Sequence, residues 1–181
     1  MAYTPAYNSL FAKPLLNQCI AIIQRDQAAA IAIVNSALAP INEFHKGPAA
    51  RTAFPWLMLA GNAVHFDRAS EMHTRHQTCA VSLMLEVGQF DQELAQDNAQ
   101  DYARMLDVIV STSARANFSD WTTSLPITHE TVPSGMTSPN AAGSVKDVFI
   151  ESQTYDLTTR PEIEIPVLRV TLALLFELEE T

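Results

Sequence analysis

The segment IPVLRVTLALLFELEE, residues 165–180, decides how the rest of the chain is read. In steps of two it places Leu168, Val170, Leu172, Leu174, Phe176 and Leu178 on one side, the period of a strand with a core face. The other side carries Val167, Arg169, Thr171, Ala173, Leu175, Glu177 and Glu179, polar towards its ends but apolar through Ala173 and Leu175. A strand of about thirteen residues extends roughly 40 Å at about 3.3 Å per residue, longer than most. It therefore needs long neighbours, and something to cover its second face.

One such neighbour is TCAVSLMLEVG, where Cys79, Val81, Leu83, Leu85 and Val87 alternate with Thr78, Ala80, Ser82, Met84 and Glu86. Ala80 and Met84 make its second face partly apolar as well. FPWLMLAGNAVHF, Phe54 to Phe66, reads as a strand with Pro55 near its start and Gly61 as a bulge. VKDVFIESQTYDL, Val145 to Leu157, alternates imperfectly as another. The stretches INEFHKGPAARTA and DRASEMHTRHQ read as connections.

Two helical segments accompany these strands, one before them and one between the two pairs. From Pro14 to Leu38, Leu16, Ile20, Ile23, Ala30, Ile31, Val34 and Leu38 recur at helical spacing, with Pro14 in the first turn and Pro40 beyond the end. Asp91 is placed to cap a second helix reaching about Ala114, with Ala95, Ala99, Tyr102, Leu106 and Ile109 on its buried face. Between Arg115 and Ser144 lie Pro126, Pro133, Pro139, Gly135, Gly143 and many Ser and Thr, a long arm without a period of its own.

The fold class is therefore α+β in the order α-β-β-α-β-β. Two helices pack on a largely antiparallel four-stranded sheet, with the Ser/Thr/Pro-rich arm before the third strand. A chain of 181 residues is expected to form a single domain, 1–181. Nothing resembles a signal peptide or a membrane span, so a soluble protein made in the cytoplasm is expected, with no membrane partner. Cys19 and Cys79, the two cysteines, both fall on apolar sides and are expected as free core thiols. The net charge of −9 opposes general nucleic-acid binding, which needs clustered Lys and Arg.

No phosphate-binding glycine loop, nucleophile elbow, zinc-protease HExxH or calcium loop is present; HETVP at His129 lacks the second histidine. Glu162 and Glu164 share one side of an extended segment but have no partner acid, base or pocket. No catalytic residue, cofactor or metal is assigned. His65, His73, His76 and Cys79 form the one metal-like cluster, without the closely spaced pairs of a structural zinc site. A small metal- or ligand-binding domain using His65, His73 and His76 is the alternative from a different functional class.

The candidate contact residues are of three kinds. Phe118 and Trp121 are large aromatics in the arm, suited either to their own domain or to anchoring on another chain. The loop residues His73, Arg75 and His76 form a second group. Glu93, Asp97 and Asp101 lie four apart on the second helix, a stripe continued by Arg104 and Asp107, either solvated or docked on a basic surface. Ala173 and Leu175, on the second face of the terminal strand, are expected to meet an adjoining molecule.

Six stretches in succession carry a family resemblance: PLLNQCIAIIQRDQAAAIAIVNSAL, FPWLML, TCAVSLMLEV, ELAQDNAQDYARMLDVIV, VKDVFIESQTYDL and PVLRVTLALLFELEE. Over about residues 14 to 180, the chain resembles the tail terminator (tail completion) proteins of long-tailed bacteriophages and related tailed particles. The resemblance implies a homo-oligomer, a hexameric ring that caps the tail tube and performs no reaction. Its implied partners are the tail tube protein and a head-side connector or stopper protein, with DNA passing through the lumen without specific binding. The implied location is the virion, in the tail or neck, after assembly in the host cytoplasm. The arm at 115–144 departs from the family's compact pattern and keeps a second position open, another head-to-tail neck adaptor of the same particle.

Overall fold

A computed structural model of the chain describes residues 12–47, 53–66, 75–89, 91–110, 127–128, 134–135, 142–158 and 167–180. The elements run α1 (Ala12–Val34), β1 (Glu43–Lys46), β2 (Trp56–Phe66), β3 (Arg75–Gly88), α2 (Gln92–Val110), β4 (Ile127–Thr128), β5 (Ala142–Thr158) and β6 (Val167–Glu180). They form a six-stranded sheet in the order β1-β2-β3-β6-β5-β4. All neighbours are antiparallel except β1 and β2. The α+β class holds, while the expected four antiparallel strands become six in a mixed sheet.

Both additional strands arise where the sequence reads as connection. Glu43–Lys46 carries a single large apolar residue, Phe44, too little pattern to reveal a strand. Its neighbour supplies the rest: Phe44 aligns with Leu57 and joins the core periphery. Gln27 fixes the approach, donating to the Ile41 carbonyl at 3.2 Å and accepting from the Ile41 amide at 2.9 Å. At the other sheet edge, Ile127 and Thr128 from within the expected arm pair with Gly143 and Ala142. Likewise, Arg75–Gln77 belong to β3 rather than to a connection, because β6 extends far enough to give them partners.

α1 ends at Val34, short of Leu38, because Asn35 turns the chain. Its amide still donates to Ile31, its side-chain oxygen accepts from the Ala37 amide at 3.0 Å, and its carbonyl accepts from Leu38. Such local side-chain bonding competes with helix. Asp91 caps α2, its Oδ1 accepting from the Glu93 amide at 2.9 Å and the Leu94 amide at 3.3 Å. Described α2 stops at Val110, and residues 111–114 of the expected helix lie outside the described residues.

Both helices share the core cluster with one face of the sheet. That face presents Cys79, Val81, Leu83 and Leu85 from β3, opposite Phe176, Leu174, Leu172 and Val170 of β6, with Leu57 and Leu59 of β2 alongside. All five residues expected on the buried face of α2 are buried. α1 buries Leu15, Cys19, Ile22, Ile23, Ala30 and Ile31, a stripe turned slightly from the expected one, leaving Leu16, Ile20 and Val34 at its margin. The Tyr102 hydroxyl donates to the Ala39 carbonyl at 2.6 Å and ties the turn after α1 to α2.

β5 explains its own imperfect alternation. Register shifts between Val145 and Asp147, and between Ile150 and Ser152, reset the strand phase twice. Val145, Val148, Ile150, Tyr155 and Leu157 thereby align with the core-facing residues of β6. β2 carries the expected bulge after Gly61.

Candidate functional site

Because the helices occupy one sheet face, the residues between the core positions define a second face that neither helix covers. Its rows follow from the register. Met58, Met84, Thr171 and Thr154 cross β2, β3, β6 and β5; the next row is Ala60, Ser82, Ala173 and Ser152; a third joins Ala80, Leu175 and Phe149. Small side chains in the middle row separate Met58 and Met84 from Leu175 and Phe149. Ala173 and Leu175 are half-buried, flanked by neighbouring strands but not capped by a helix, and Phe149 is 40% exposed.

Polar groups border this patch. At one end the fully buried Glu86 lies between Trp56 and Arg169 in the register, with Asp156 beyond. Arg169 donates from Nη2 at 2.8 Å and from Nε at 3.1 Å to Glu86 Oε1. His45 sits edge-on to Trp56 with ring centroids 6.1 Å apart, its Nε2 3.5 Å from Glu43 Oε2. At the other end are His65, Thr78, Glu177 and Asp147. A centre of small, apolar and hydroxyl side chains with a charged border is compatible with a protein–protein interface.

The acidic stripe of α2 divides. Glu93 and Asp97 are exposed, whereas half-buried Asp101 accepts a 2.7 Å hydrogen bond from Asn35 Nδ2 and so joins α2 to the end of α1. Arg104 and Asp107 are exposed. Phe118, Trp121 and His73 lie outside the described residues. Arg75 and His76 are placed by backbone alone, paired with Glu180 and Glu179. His65 is exposed near the end of β2. No group of three His, Cys, Asp or Glu among the described residues is arranged to hold a metal ion.

Both cysteines are free and buried on the core side. Burial pushes the Cys79 thiol up to about 11 and raises that of Cys19 further. Burial likewise raises Tyr102 to about 12, against the opposing effect of its bond to Ala39. These are inert groups, not nucleophiles, at neutral pH. No described helix is long and apolar enough to cross a membrane.

Sequence reasoning reached Ala173, Leu175, Ala80 and Met84 in this patch but missed Met58, Ala60 and Phe149. Phe149 was concealed by the β5 bulges, since simple alternation cannot follow two phase changes. The Arg169–Glu86 pair left a trace: each is a charge set among apolar residues of a long strand.

No protein-family model matches the chain, and no curated protein matches it. Among solved structures it is similar to a chain of "Virion of native gene transfer agent (GTA) particle", with 10% identity and a TM-score of 0.46, over 96% of this chain and 99% of that one.

Proposed function

We propose that the chain is a structural subunit of a phage-like particle, a ring-forming tail terminator that caps the tail tube and meets the head-side connector, without enzymatic activity. The observation that carries this reading is the sheet face along Ala60, Met84, Ala173 and Leu175. It combines Ala, Met, Leu and Phe with Ser and Thr, is bordered by charge and is covered by neither helix. Neighbouring copies complete it, as a symmetric homo-oligomer requires of a repeated surface. Tail and neck roles come from the resemblance of the element succession to tail terminators, and hexameric stoichiometry from the same source.

Deleting the gene from the genome that produces the particle tests the reading. Expected are tails of uncontrolled length or tails that fail to join heads. Normal yields of complete, functional particles would falsify it. Imaging the labelled subunit in whole particles distinguishes the tail end from another position in the neck.

A further inference from the structure

A different surface carries its own signal. β5 is paired along Phe149–Thr158 with β6, and among the described residues no strand lies on its other side, because β4 reaches only Ala142 and Gly143. Residues 151–157 are all exposed. Tyr155 and Leu157 point to the helix side of the sheet yet are 44% and 54% exposed, since α2 does not extend over them. Together with Leu168 they form the floor of a cavity of about 260 Å³, whose wall is Gln92, Ala95, Gln96 and Gln100 of α2. The Gln153 amide donates to the Tyr155 hydroxyl beside it.

An open strand edge next to a pocket of side-chain size is the arrangement used to bind an extended peptide. Backbone bonds add a strand, and the pocket takes an alternate side chain. Charge selects the occupant. Glu151 is exposed on β5, and Glu93 and Asp97 are exposed on α2 one stripe away from the three glutamines, with the single base Arg104 farther along that helix beyond Gln100. A second copy of a chain with net charge −9 meets like charge here, whereas a basic segment meets its complement. We infer that the β5 edge and the α2 groove form a docking site for an extended segment of a different protein, with an apolar anchor flanked by Lys or Arg. This inference goes beyond self-assembly: it uses the backbone edge of β5 and the helix side of the sheet, whereas the patch assigned to self-assembly lies on the opposite side, with Phe149, Ser152 and Thr154 contributed to it by the same strand.

The test is selection of a random library of short displayed peptides on the full chain, in parallel with the Leu157→Asp and Tyr155→Ala variants. Circular dichroism establishes that both variants fold. Expected is enrichment of peptides with an apolar residue flanked by basic ones, and slower amide exchange across residues 149–158 when an enriched peptide is added. Affinity should fall about tenfold or more in Leu157→Asp. Enrichment of acidic peptides, no enrichment over the variants, or protection elsewhere overturns the inference. So does a loss of oligomer mass in Leu157→Asp by light scattering, which would give this edge to a second copy. Should the wild-type chain form no ring, the self-assembly reading fails while the peptide result still decides this one.

Discussion

Arg169 and Glu86 face each other across β6 and β3, with Nη2 and Nε both directed at one carboxylate oxygen of a fully buried glutamate. The arginine itself retains some solvent contact, so the pair is asymmetric. Removing the arginine takes both of these charge-assisted hydrogen bonds from a buried carboxylate, a loss of about 3 kcal/mol. Arg169→Ala is therefore expected to lower the denaturant midpoint strongly. Replacing both partners with apolar residues, Glu86→Leu with Arg169→Met, recovers most of that stability, as urea unfolding will show.

The acidic residues of α2 should separate by role. Asp101→Ala removes the acceptor of the Asn35 amide and costs about 1.5 kcal/mol, and Asn35→Ala, which also loses the bond from the Ala37 amide, costs about 2 kcal/mol. Glu93→Gln and Asp97→Asn, both exposed, should stay within about 0.5 kcal/mol of wild type in the same unfolding measurement.

Alkaline pH tests the buried thiols. The folded protein holds the Cys79 proton up to about 11 against an ordinary value of 9.0, so the unfolded chain loses its proton first as pH rises. This contribution to stability is complete below 9.0 and is lost between 9.0 and about 11. Unfolding midpoints should fall over that window, and Cys79→Ala should reduce the slope. Iodoacetamide at pH 8 is expected to label neither cysteine in the native protein and both in denaturant, measured by intact mass.

Charge placed in the half-buried sheet face opposite the helices should separate folding from assembly. Ala173→Asp and Leu175→Asp are expected to keep native circular dichroism while losing the proposed self-association, which light scattering on wild type and variants will measure. An oligomer of wild-type mass in both variants rules out this face as the contact between copies.

Much of the fold was legible because long alternating strands and strong helix signals dominate it. Asp91, Gly61 and the buried face of α2 could be read from local chemistry. β1 and β4 could not, since short edge strands depend on a partner's backbone rather than on their own side chains. Pairing order was equally hidden: β6 inserts between β3 and β5, a choice made by the whole sheet. At the candidate site, the apolar second face showed in Ala173 and Leu175, but its transverse rows needed the register. The open groove beside β5 depends on where α2 stops covering the sheet, which a period cannot reveal.

The position of β6 also orders events at the ribosome. The sheet's central strand is the last of the six to be synthesised, so β3 waits with one side unmatched until residues 167–180 emerge. That same strand brings Ala173 and Leu175. A polypeptide interrupted before it can neither close its own sheet nor offer the surface proposed to recruit siblings.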